Sequence, residues 1–190
     1  MKVGLFFGSF NPIHIGHLAI ANYMVEFTAL DQLWFVVSPQ NPFKEKKSLL
    51  ADHHRYELVE RAVEPDDRIR VTNIEFNMPK PSYTIDTLSW LREKHPKNEF
   101  YLIMGSDQLS SFNKWKNHEE IIKNYHRFIY PRPGVDHRTL PCMDNASLLH
   151  APMIEISSSF IRQAIRDNRD IRHFLPAGVW KYIQEMNFYK

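Results

Sequence analysis

Three segments of the chain are apolar from end to end: Val3–Phe7, Leu33–Val37 and Phe100–Met104. A strand with one wet face alternates apolar and polar residues, whereas a strand covered on both faces reads as a continuous apolar run. Weaker or shorter strands are predicted at Ile69–Thr72, Arg127–Tyr130 and Leu148–Ile154. Between them lie helical patterns. Leu18, Ile20, Met24 and Phe27 mark a helix over Ile15–Phe27, and Asp52 reads as the N-cap of a helix carrying Leu58, Val59, Ala62 and Val63. Ser82 reads as the cap of a helix over Tyr83–Lys94, followed by Glu119–Asn124, Ser157–Asp167 and Ala177–Asn187. Strands that alternate with helices and are buried on both sides predict an α/β fold: a doubly wound parallel sheet. No repeat or linker interrupts it. The expectation is a single domain, 1–190, whose last helices from about 157 form a small C-terminal helical cap beside the sheet.

Composition narrows the class. Of 190 residues 43% are hydrophobic and 24% charged, which suits one packed core and not a disordered chain. Only 6 are glycine, about half of what average usage of ~7% gives, which excludes flexible and repetitive architectures. The net charge of +2 does not point to nucleic acid or to an anionic membrane. Cys142 stands alone, so neither an intrachain disulfide nor a cysteine zinc site is available within the chain. No apolar run approaches the ~18 residues of a membrane span, and the first residues lack a signal-peptide pattern. The expected location is cytoplasmic. A homo-oligomer is compatible with this sequence, which sets no oligomeric state.

The first strand runs directly into Gly8-Ser-Phe-Asn-Pro-Ile-His14-Ile-Gly-His17, where a helix begins. Loops at the carboxyl ends of parallel strands are where open sheets bind ligands. A helix start adds free N–H groups and a partial positive charge suited to phosphate. His14 and His17 are three apart and share a face of the first turn, where two imidazoles can donate to phosphate oxygens. Gly8 and Gly16 leave out side chains where backbone would have to approach a ligand. A structural turn with one capping histidine explains a bare His-x-x-His, but not the whole combination. Near the other end, Ser157–Ser159 open a helix with hydroxyls and free N–H groups, and Arg162 lies one turn on.

The first segment resembles the Gly-x-Phe-x-Pro-x-His-x-Gly-His signature of nucleotidyltransferases, which class I aminoacyl-tRNA synthetases share in shortened form. Ile156-Ser-Ser-Ser-Phe-Ile-Arg162 is similar to the family's second signature, Ile-Ser-Ser-Thr-x-Ile-Arg. The resemblance implies a Rossmann-like sheet in which both motifs contact a nucleoside triphosphate. Pro81–Leu88, Met104-Gly-Ser-Asp107 followed by Trp115, Arg132-Pro-Gly134, and Leu175-Pro176 with Val179, Tyr182 and Ile183 resemble segments of nicotinate-nucleotide adenylyltransferases. The likeness covers nearly the whole chain, in order.

That resemblance implies transfer of AMP from ATP to nicotinate mononucleotide, giving deamido-NAD and pyrophosphate. Catalytic roles fall on His14, His17 and Arg162. ATP contacts fall on Gly8, Ser9, Phe10, His14, His17, Gly105, Asp107, Ser158, Ser159 and Arg162. Contacts with nicotinate mononucleotide fall on Lys44, Thr84 and Trp115. Mg²⁺ is implied as the companion of ATP, with no metal ligands in the chain. Arg55 and Arg132 read equally as anion contacts or as solvated arginines. Two departures stand out: Asn11 where the family commonly has Asp, and Phe43 where it commonly has His in Pro-Pro-His-Lys. Another acceptor (nicotinamide mononucleotide or phosphopantetheine) and a non-catalytic nucleotide-binding regulator are the alternatives.

Overall fold

The computed structural model describes residues 1–39 and 49–190. Six strands form one all-parallel sheet in the order β3-β2-β1-β4-β5-β6. They are β1 (Lys2–Gly8), β2 (Gln32–Val37), β3 (Ile69–Thr72), β4 (Glu99–Gly105), β5 (Arg127–Tyr130) and β6 (Ala146–Leu148). The helices are α1 (Ile15–Phe27), α2 (Asp52–Val63), α3 (Thr84–Lys94), α4 (His118–Asn124), α5 (Ser158–Arg166) and α6 (Ala177–Glu185), with a 3-10 segment over Ser106–Lys114. Among the described residues, no helix is long and apolar enough to cross a membrane.

The continuous apolar runs have the expected cause. In β1, Val3 and Leu5 point into one core, and Phe6 into the other. The first core joins the sheet to α3 and α4 through Ile85, Leu88, Leu91 and Ile121. The second joins it to α1, α2, α5 and α6 through Met24, Leu58, Ile161 and Val179. The last helices therefore lie on the same face as α1 and α2. Winding reverses after β3: the chain crosses back over β2 and β1 through α3 and enters β4 beside β1. The carboxyl ends of β1 and β4 lie side by side at this switch point, where open α/β sheets bind their ligands.

Helix and strand ends shift from the sequence reading, most by a residue or two, and at three places the reason is visible. Ala51, not Asp52, is the cap of α2, and the Asp52 carboxylate binds Arg55 and Lys80 instead. Tyr83 occupies the cap of α3, because the Ser82 hydroxyl donates to Glu75 Oε2 at 2.8 Å. The last strand is Ala146–Leu148, not Leu148–Ile154. Its partner β5 ends at Tyr130 before Pro131, so pairing runs out with Leu149 N–H on the Ile129 carbonyl at 2.8 Å.

Candidate active site

The end of β1 and the start of α1 fold as a tight strand–loop–helix unit. Phe10 takes a left-handed backbone (φ 43°) and turns its ring inward, to 2% exposure. The ring packs against Phe6, His17 and Phe35, with centroids 5.9, 5.2 and 5.0 Å away. Gly8 is what permits this. A Cβ there would sit 2.7 Å from the Phe10 ring, so the missing side chain makes room for Phe10. Gly105 at the end of β4 does the same for a charged pair: its Cβ would collide with the Asp107 carboxylate and the Arg132 side chain.

His14 is the N-cap of α1 and His17 lies in its first turn. Their rings stack at 3.7 Å between centroids. His17 Nδ1 accepts the His14 backbone N–H at 3.3 Å, which leaves the ring proton of a neutral His17 on Nε2. His14 is 4% exposed, and its Nδ1 is buried with no hydrogen-bond partner. Burial, with the nearby Arg132 charge adding to it, lowers the His14 pKa to about 4. It is therefore neutral near pH 7.

The second motif closes the opposite wall. Ser157 caps α5, its side chain accepting from Phe160 N–H at 3.1 Å. Ser158 Oγ donates to the Pro12 carbonyl at 2.8 Å, and Arg162 Nη1 donates to the Asn11 carbonyl at 2.8 Å. Arg162 Nη2 reaches Ser159 Oγ at 3.3 Å, and its Nε is buried without a partner. Between the walls lies a cleft of ≈ 570 Å³. Gly8, Ser9, Phe10, His14, His17, Asp107, Ser158, Ser159 and Arg162 line it, all expected from the sequence. Gly105 is not in the lining and sits behind Asp107. Arg132 also lines it, partly exposed and 3.8 Å from the Asp107 carboxylate.

Arg55 fits neither reading. It is fully buried, and every nitrogen of its guanidinium is hydrogen-bonded: Nε to the Leu50 carbonyl at 3.0 Å, Nη1 to those of Ser9 and Ser38 at 2.7 and 2.8 Å, and Nη2 to Pro39 at 3.2 Å and Asp52 at 2.7 Å. It ties the ends of β1 and β2 together.

A second, smaller cavity of ≈ 110 Å³ adjoins the cleft, sharing Phe7, Gly8 and Gln108 with it. Thr84 and Trp115 line it, as expected, together with Tyr83, Lys114 and Lys116. Trp115 rests on Phe112 with centroids 5.2 Å apart. Glu75, 2% exposed, anchors the start of α3 by accepting from Ser82 and Thr87, both at 2.8 Å. Neither Gln108 nor Glu75 carried a signal in the sequence. Lys44 lies outside the described residues, as does Phe43. Among the described residues no group of His, Cys, Asp and Glu side chains is placed to hold a metal ion.

Comparison with known proteins gives a consistent result. Residues 5–164 match the cytidylyltransferase-like family. A protein of Christiangramia forsetii named probable nicotinate-nucleotide adenylyltransferase is 52% identical over 100% of this chain and 98% of its own length. A protein of the same name from Bacteroides thetaiotaomicron is 50% identical over 97% of this chain and 92% of its own. Among solved structures, the Plasmodium falciparum nicotinic acid mononucleotide adenylyltransferase complexed with NaAD aligns with a TM-score of 0.81 at 23% identity. That alignment covers 99% of this chain and 97% of the other.

Proposed function

Because the chain belongs to the nicotinate-nucleotide adenylyltransferases of the cytidylyltransferase-like family, we propose that its two adjoining cavities bring ATP and nicotinate mononucleotide together for adenylyl transfer. The observation that carries this is the seam at Phe7, Gly8 and Gln108, where the two cavities meet. The larger has histidines, serines and arginines suited to a triphosphate. The smaller has a tryptophan and a tyrosine suited to a flat ring.

In the reaction a phosphate oxygen of the mononucleotide attacks the α-phosphorus of ATP. One P–O bond forms, the bond to the β-phosphate oxygen breaks, and pyrophosphate leaves with that electron pair. The attacking oxygen is already ionised at neutral pH, so no general base is needed. Catalysis is positioning and charge stabilisation. His14 and His17 stabilise the transferring and leaving phosphates as hydrogen-bond donors. The place of both histidines on the wall of the larger cleft supports that assignment. Ser158, Ser159 and Arg162 hold the β- and γ-phosphates, and Arg132 adds positive charge. Asp107 accepts from the ribose hydroxyls. Thr84 and Trp115 seat the pyridine end, and Lys44 is assigned to the mononucleotide on the family pattern alone. Magnesium carried in with ATP would neutralise phosphate charge. A cytoplasmic setting belongs to the same proposal.

The test is pyrophosphate release from ATP with nicotinate mononucleotide, nicotinamide mononucleotide and phosphopantetheine in parallel. Release with the first acceptor in clear preference supports the assignment, and equal or better release with either of the others refutes it. In the same assay His17→Ala should lose orders of magnitude in turnover while its melting curve stays cooperative.

A further inference from the structure

The phosphate wall is seated on one stretch of main chain, and a residue outside every motif holds that stretch. The Asn11 and Pro12 carbonyls accept from Arg162 Nη1 and Ser158 Oγ, so they aim both groups into the cleft. The Asn11 side chain, in turn, fixes this main chain. It is 2% exposed, and its Oδ1 accepts from the Leu50 N–H at 3.2 Å and from the Tyr189 hydroxyl at 2.8 Å. Tyr189 lies 178 residues further along the chain, in the segment that follows α6.

Several features pin Tyr189 there. Its backbone is left-handed (φ 68°), a conformation that a bulky residue keeps only when its surroundings impose it. Phe188 beside it packs on His54 and Tyr182 at 4.8 and 5.6 Å between centroids. The charged groups facing Tyr189 are Arg162 and Arg55. Burial nevertheless holds the phenol pKa far above its usual value, so the hydroxyl stays a donor across the working pH range.

We propose that Tyr189 is a positioning residue for the triphosphate end of the site: through Asn11 its hydroxyl holds the main chain on which Arg162 and Ser158 are seated. The inference rests on the reading of the larger cleft as the ATP site. It gives the segment after α6 a part in nucleotide binding without any contact to the nucleotide.

Tyr189→Phe removes one oxygen and leaves the ring's packing in place. The net worth of one such hydrogen bond converts to an ATP KM raised about fivefold. The KM for nicotinate mononucleotide should stay within about twofold, a split between substrates that general loosening of the fold would not produce. Melting curves report whether the variant is folded. In an Arg162→Lys background the same substitution should have little further effect on the ATP KM, because groups acting through one another are not additive. With an active wild type, an unchanged ATP KM overturns the inference, as does an equal rise for both substrates or a full effect in the Arg162→Lys background. A wild type that releases no pyrophosphate from ATP with any acceptor overturns the reading of the cleft and this inference together.

Discussion

Replacing Arg55 by Met is the sharpest test of how this site is held. The side chain is fully buried and donates to four main-chain carbonyls and one carboxylate. Methionine fills much of the volume and supplies no donor. The carbonyls of Ser9, Ser38, Pro39 and Leu50 then lose this partner, and Asp52 loses a neutralising charge at 2.7 Å. Breaking a buried charged network from one side costs about 3–5 kcal/mol. Asp52 keeps 31% of its side chain in solvent and retains Lys80, so its share of the loss is small. The four carbonyls carry the rest, at roughly 1 kcal/mol each after partial rehydration. At about 2–4 °C per kcal/mol for a domain of this size, the melting temperature should fall by about 10 °C. Arg55→Lys keeps the charge but not the planar fork, and should recover about half of the loss. Differential scanning calorimetry of the three proteins reads this directly. A fall of under about 2 °C for the methionine variant would refute the reasoning, because it would mean the ends of β1 and β2 do not depend on the guanidinium.

Further expectations concern the site itself. His14 is held at about pKa 4 in the fold against 6.5 for the free side chain, so the unfolded chain takes up its proton first as pH falls. This contribution to stability is fully present above pH 6.5, is lost between about 6.5 and 4, and amounts to about 3 kcal/mol. Urea midpoints measured from pH 7 to 4 should show that slope, and His14→Asn should flatten it. Gly8→Ala places a Cβ against the Phe10 ring, so Phe10 and the His17 ring beside it must both shift. The expected result is about 1–3 kcal/mol of destabilisation with a larger loss in kcat, measured by denaturation and pyrophosphate release. Trp115→Ala should raise the KM for nicotinate mononucleotide about tenfold with the ATP KM little changed, since stacking on an aromatic face is worth ~1–3 kcal/mol per base.

The parts of the molecule that local chemistry determines were legible in the sequence. Uninterrupted apolar runs imply strands covered on both faces, and the sheet between two cores is their consequence. The two motifs proposed to hold phosphate stood out in the sequence because each spans the start of a helix. Failures came where a distant partner decided the matter. Ser82 is a good cap by type, yet Glu75, seven residues earlier, takes its hydroxyl. The strand expected at Leu148–Ile154 has the right apolar content, but a strand exists only while a neighbour offers hydrogen bonds, and β5 stops at Tyr130. Tyr189 could not be placed from the sequence, because its hydroxyl's partner, Asn11, lies 178 residues away.

Arg55 and Arg162 together show why residue type alone does not assign a role. Arg55 and Arg162 serve the same loops: both donate to main-chain carbonyls after β1, at Ser9 and Asn11, where the sheet no longer supplies partners. They differ in what is left over. Arg55 has spent all three nitrogens on protein atoms, so it has nothing to offer a phosphate. Arg162 keeps a buried Nε without a partner and lines the cleft. A guanidinium in which every nitrogen is engaged holds the architecture, and one that lines the cleft is the one proposed to meet an anionic ligand. The two stand on different helices: Arg55 on α2, away from the cleft lining, and Arg162 on α5, whose first turn lines it. The consequence is measurable, because ATP binding should protect Arg162 and not Arg55. Arg162→Lys should weaken ATP binding by at least tenfold with a melting temperature shifted by only a few degrees. The reverse pattern, a collapsed melting temperature with ATP affinity intact, would exchange the roles assigned to the two residues.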